Sequence, residues 1–202
     1  MERPGMRAAL RLEISGVFFI IILGSALHFT FELSGRNPIV GVFSAVNESV
    51  WEHLKLSFWP ALTYAAIEYR LLKRETGNFL PAKTLGIYLM PLIIVSLFYL
   101  YTAFMEENLV LDVLIFVMAV VIGQLTSYKL LIRREKSGIC ARASVVALIL
   151  LALLFAIFTF YPPHSPIFRD PVSGNYGITK HSVITGFPGL PGEIQIPMKF
   201  TA

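Results

Sequence analysis

A chain of 202 residues, 55% of them hydrophobic and only 15% charged, with a mean hydropathy of +0.68, is too apolar for an ordinary water-soluble domain. The formal net charge of +4 and a pI near 9.3 do not point to nucleic acid. The basic residues stand in short clusters between apolar runs, which is the pattern of membrane topology. The single cysteine, Cys140, excludes an internal disulfide and a cysteine-rich metal site.

In chain order, residues 14–31, 84–105 and 143–168 contain no Asp, Glu, Lys or Arg. Each is long enough for a helix that crosses a hydrocarbon core of about 30 Å at about 1.5 Å per residue. Residues 109–128 are interrupted only by Asp112, and residues 51–72 have an apolar middle with ionisable residues at both ends. The expected fold is therefore all-α: a polytopic transmembrane bundle of about five helices, near 12–34, 51–72, 83–105, 109–132 and 143–161. No small-residue cleavage motif follows the first run, which argues against a signal peptide. The absence of an internal repeat in the helices argues against an inverted-repeat transporter.

Between the first two helices, Ser34-Gly35-Arg36-Asn37-Pro38 is a turn cluster, and residues 39–46 are apolar but far too short to span. This segment reads as re-entrant or interfacial, and as a candidate roof for a site. Seven of the twelve prolines lie beyond residue 161, so residues 162–202 read as an irregular, extended tail whose first half could fold back on the helix ends. The expected division is a helical bundle over 1–161 and an extracytoplasmic Pro/Gly-rich tail over 162–202.

Twelve of the seventeen Lys and Arg precede the first helix or lie between the second and third or the fourth and fifth. The positive-inside rule then places the N-terminus in the cytoplasm and the C-terminus outside the plasma (inner) membrane. Lys55 counts as an outer loop charge and Lys83 as an inner one.

That topology gathers most ionisable residues at one depth. His28 and Glu32 share a face one turn apart near the end of the first helix. The second helix opens with Asn47-Glu48-Ser49-Val50-Trp51-Glu52-His53, and the fifth ends at Tyr161-Pro162-Pro163, followed by His164, Arg169 and Asp170. Imidazole and carboxylate suit zinc or another divalent metal, and the expected ligands are His28, Glu32, His53 and His164, with Glu52 or Asp170 as general base or further ligand. Each feature also has a plain structural reading: His28 and Glu32 as interfacial helix contacts, Ser49-x-x-Glu52 as a capping box, Pro162-Pro163 as a helix stop, and Glu68 paired with a basic neighbour. Capping explains Asn47, Ser49 and one acid, but gives no reason for His53 or the second acid.

The stretches His28-Phe29-Thr30-Phe31-Glu32-Leu33-Ser34-Gly35, Asn37-Pro38-Ile39-Val40-Gly41, Asn47-Glu48-Ser49-Val50-Trp51-Glu52-His53-Leu54-Lys55 and Tyr161-Pro162-Pro163-His164-Ser165-Pro166-Ile167-Phe168-Arg169-Asp170-Pro171 resemble an uncharacterised family of small multi-pass prokaryotic membrane proteins, a domain of unknown function. The resemblance covers residues 10–180, implies a polytopic helical fold and names no catalytic residue.

Three functions from different classes fit these features. The first is a metal-dependent hydrolase or transferase acting on a lipid, lipid-linked or exported substrate. The second is a proton- or ion-coupled transporter in which Glu13 and Glu68 matter. The third is a non-catalytic assembly subunit docking through its tail; haem ligation by paired histidines is a minor fourth.

Overall fold

The computed structural model describes residues 4–72, 77–133 and 141–178. Cys140, His181 and the last part of the tail lie outside the described residues, as do Arg3, Lys73, Arg74, Arg134 and Lys136. The described residues form six α-helices, a 3₁₀ turn at Pro166–Phe168 and no strand. The helices are α1 (Pro4–Leu33), α2 (Pro38–Gly41), α3 (Val50–Leu72), α4 (Phe79–Thr102), α5 (Leu109–Leu131) and α6 (Ala141–Phe160). Four of them, α1, α4, α5 and α6, are long and apolar enough to cross a membrane. The chain is thus an all-helical protein of transmembrane type.

The five long helices alternate in direction. Glu13 near the start of α1 meets Lys83 at the start of α4 and Ser127 at the end of α5, and Lys83 also meets Glu68 at the end of α3. Thr84 donates to the Ser144 carbonyl near the start of α6. These ends make one rim, here the amino rim. At the opposite, histidine rim, the end of α1 meets the start of α3 through the His28 and His53 rings, Tyr101 of α4 donates to Asp112 of α5, and Lys55 of α3 donates to Thr159 of α6.

α3 has the length of a span, about 34 Å for 23 residues, and runs between the same two rims as its neighbours. It falls short in hydropathy because it carries Glu52, Lys55 and Glu68, all buried. It is the central helix, packing on α1, α4, α6 and the 3₁₀ turn. Leu54, Phe58, Ala61 and Ala65 join Ile20, Ile87, Met90, Val120 and Phe155 in the main core. Pro60 has no N–H to offer the Leu56 carbonyl. At that carbonyl α1 presents Gly24, where a Cβ would lie 2.5 Å from the oxygen, so α1 and α3 pack backbone to backbone there.

α4 and α5 meet in the same manner: a Cβ on Gly86 would lie 2.7 Å from the Gly123 carbonyl oxygen, and one on Gly123 would lie 2.8 Å from that of Gly86. Without a hydrophobic effect between helices in lipid, such close approach supplies the packing.

α1 begins at Pro4 rather than near residue 12, since proline suits the first helical position and residues 6–10 are good helix formers. It ends in a Schellman motif, with the Gly35 N–H on the Glu32 carbonyl and the Arg36 N–H on that of Phe31, and Gly35 at φ 69°. The following segment folds onto the bundle. Asn37 caps α2, and the Gly41 and Val42 carbonyls accept from Lys55 Nζ and Trp59 Nε1 at 2.7 and 3.0 Å. Its carbonyls are thus met by protein, the condition under which irregular backbone could enter a membrane. Residues 162–178, the first half of the tail, fold back on the helix ends: Phe168 packs on Trp51, the Ile178 N–H bonds the Thr159 carbonyl, and Asn47 Nδ2 donates to the Gly177 carbonyl.

Substituting Gly86 or Gly123 with Val is expected to force α4 from α5 and cost about 1–3 kcal/mol of stability, read as an earlier unfolding transition in detergent. Gly35→Asn, at an open left-handed position, leaves that transition nearly unchanged.

Candidate metal centre at the histidine rim

α1 carries His28 to the rim one and a half turns before its Schellman end, and the start of α3 brings His53 beside it, with ring centroids 5.2 Å apart. The turn before α3 is held locally. Asn47 Oδ1 accepts from the Ser49 N–H at 2.9 Å, and Ser49 Oγ accepts from the Glu52 N–H at 3.4 Å. Only half of the expected capping box forms, because the Glu52 carboxylate turns inward to the Val46 N–H and Lys55.

This turn leaves Glu48 between the two imidazoles. His28 Nε2 lies 3.9 Å from Glu48 Oε1 and His53 Nε2 lies 3.4 Å from Glu48 Oε2. One ligand atom from each of His28, Glu48 and His53 falls within 4.8 Å of the other two. A tetrahedral zinc site with bonds of about 2.0–2.2 Å has ligand atoms about 3.3 Å apart, so small side-chain rotations would close the set.

His53 Nδ1 lies 2.9 Å from the Ser49 carbonyl, a bond in which the ring N–H donates. That contact leaves Nε2 facing Glu48, as an N–H donor to the carboxylate when the ring is protonated and as a lone-pair donor to a metal when it is neutral, the arrangement by which an outer partner orients a metal-binding histidine. His28 Nδ1 is buried and has no hydrogen-bond partner. The Glu48 side chain is 52% exposed, so the cluster opens to one side.

The His53 ring N–H beside Glu48 holds its carboxyl below the ordinary value, against the opposing effect of burial. Burial and the charge of Asp112 push Glu107, in the neighbouring α4–α5 connection, above its ordinary value; His53 and Glu48 also act on it. Glu107 therefore shares the field of the cluster.

The other residues singled out in the sequence go elsewhere. Glu32 pairs with Arg36 at 2.9 Å on the exposed side of the α1 terminus. The left-handed backbone of Arg36 swings the guanidinium onto it. His164 stacks on Tyr176, ring centroids 4.7 Å apart, inside the folded segment that follows α6. Asp170 holds that segment together, accepting from the Val172 N–H at 3.0 Å and from Ser173 Oγ. Glu52 is 2% exposed and committed to Lys55. Of the six expected residues the structure brings His28 and His53 together, and Glu48 completes the set. Glu48 escapes a helical-stripe argument because it precedes the first residue of α3; its place follows from the Asn47–Ser49 turn rather than from a 3.6-residue period.

Lys55 is not a loop charge. It is fully buried, paired with Glu52, and donates to the Gly41 carbonyl and to Thr159 Oγ1 at 2.7 and 2.9 Å. All three of its protons are placed, and the pair ties α2, α3 and α6 together beneath the histidines. Lys55→Met strands the Glu52 carboxylate and is expected to cost about 3–5 kcal/mol, whereas adding Glu52→Gln recovers much of it. Denaturant titration in detergent reads both effects; a Lys55→Met protein as stable as wild type contradicts this role.

Residues 1–178 match the family described as a family of unknown function (DUF6512), and the chain belongs to that family. No curated protein and no solved structure matches it.

Proposed function

We propose that this DUF6512 member is a plasma-membrane protein that holds a divalent cation, zinc by ligand chemistry, between His28, Glu48 and His53, and uses it for hydrolysis or group transfer on a lipid or exported substrate. The observation that carries this reading is the convergence of two imidazoles and one carboxylate, from two helices and the turn between them, within 4.8 Å. Two His and one Glu match the donor set of catalytic zinc sites, which leave a fourth position to water or substrate.

A cation bound there supplies Lewis acidity and lowers the pKa of a bound water. The protein's own residues do the rest: Ser49 orients His53, and the half-exposed Glu48 keeps one side open. Glu52 and Asp170 are held by Lys55 and by the Val172 N–H and Ser173, so this reading assigns neither of them the base.

Arg7, Arg11, Arg70, Lys129, Arg133 and Arg142 belong to the amino rim, so the positive-inside rule turns that rim to the cytoplasm and the histidine rim outward. The substrates within reach are then outer-leaflet lipids and exported molecules.

Metal analysis of protein purified in mild detergent and incubated with zinc tests the reading. Wild type is expected to hold one zinc per chain. His28→Ala, His53→Ala and Glu48→Gln each weaken binding at least about 100-fold, while Glu32→Gln and His164→Ala leave it unchanged. Binding also weakens towards acid pH, because protons compete for the imidazoles while Glu48, its carboxyl held low, stays anionic. A wild type that takes up no metal, or one whose uptake survives all three ligand substitutions, rejects the proposal.

A further inference from the structure

A second polar site lies about 22 Å along α1 from His28, near the amino rim. Glu13 of α1, Glu68 of α3 and Lys83 of α4 are 2%, 0% and 3% exposed. Lys83 Nζ bridges the two acids, 2.7 Å from Glu13 Oε1 and in contact with Glu68 Oε2, and Ser127 Oγ of α5 donates to the same Glu13 oxygen at 2.9 Å. The remaining neighbours are spent on backbone: Tyr64 OH donates to the Leu12 carbonyl and Gln124 Nε2 to that of Glu13. Glu13 Oε2 and Glu68 Oε1 are buried without a hydrogen-bond partner.

The Glu52–Lys55 pair at the other rim provides the contrast. There one carboxylate meets one ammonium and every proton is placed; here two carboxylates share one ammonium and two oxygens are left over. Among the described residues Lys83 is the cation paired with either acid. An unbalanced buried carboxylate takes up a proton rather than stay charged, and when two acids interact this strongly the proton belongs to the pair. The unpartnered oxygens are where it would sit.

We propose that Glu13, Glu68 and Lys83 form a binding site for a single exchangeable proton, shared by the two carboxyls and loaded from the amino rim. Glu68 lies four residues before the end of α3 and Lys83 four after the start of α4, about 6 Å from that rim, while the apolar core of Ile20, Phe58, Ile87 and Met90 separates the site from the histidines. The site can therefore exchange with one side without opening a path through the bundle. Release of the proton leaves the seam between α1, α3 and α4 with an uncompensated negative charge, so occupancy couples pH on that side to the packing of three helices.

Infrared difference spectroscopy of the full chain in lipid nanodiscs tests this. At neutral pH wild type is expected to show one protonated-carboxyl C=O band per chain that downshifts in D₂O and is lost at alkaline pH. Glu13→Gln and Glu68→Gln each abolish it, since each leaves one carboxylate balanced by Lys83 and so keeps the fold, and Lys83→Met doubles it. Zinc binding at the histidine rim is unchanged by Glu68→Gln. Labelling of Glu13 or Glu68 in wild type by a hydrophobic carbodiimide, suppressed at alkaline pH, gives the same answer without a variant. Absence of the band at neutral pH, its survival in both Gln variants, or its replacement by stoichiometric sodium binding overturns the proposal.

Discussion

Four apolar helices form a lipid-compatible shell readily; the demanding element is α3, which brings two acids and a lysine into that shell. Burying those charges is tolerable only because each meets an opposite charge or a backbone carbonyl: Lys55 with Glu52, Gly41 and Thr159, and Glu68 with Lys83. The partners come from α2, α4, α6 and α3 itself, so satisfying α3 fixes where the other elements stand. The folded α2 segment is held to the bundle in the same way, its carbonyls being taken by Lys55 and Trp59.

The candidate metal centre is a consequence of that placement. With α3 antiparallel to α1 and packed through Gly24, the first turn of one helix faces the last turns of the other, and His53 arrives beside His28. Below them the Glu52–Lys55 pair anchors the turn that carries Glu48. A site on two long packed helices and one hydrogen-bonded turn is held more firmly than one on a free loop, as binding an ion with few ligands requires.

The helical fold was legible because uninterrupted apolar runs such as 84–105 and 143–168 have few alternatives to membrane helices. The gathering of His28 and His53 was legible from alternating threading. Glu48 was visible as a surplus acid that capping did not explain, but its role depends on a non-helical turn that no periodicity encodes. In the sequence Lys55 and Lys83 look like loop charges because their roles are long-range: Lys83 finds Glu13 70 residues away, and Lys55 finds Thr159 104 residues away. Glu32, His164 and Asp170 share only a depth with the histidine pair, and depth cannot separate a shared site from local pairs such as Glu32 with Arg36 or His164 with Tyr176.

The central claim is that α3, despite its charges, runs through the bundle from rim to rim with Glu52, Lys55 and Glu68 sealed inside. Hydrogen exchange of the protein in lipid nanodiscs, resolved by peptide, measures this directly. Amides across residues 54–72 are expected to exchange as slowly as those of α4 and α5. Exchange across α3 at the rate of a water-exposed helix, with α4 and α5 still protected, would contradict the account.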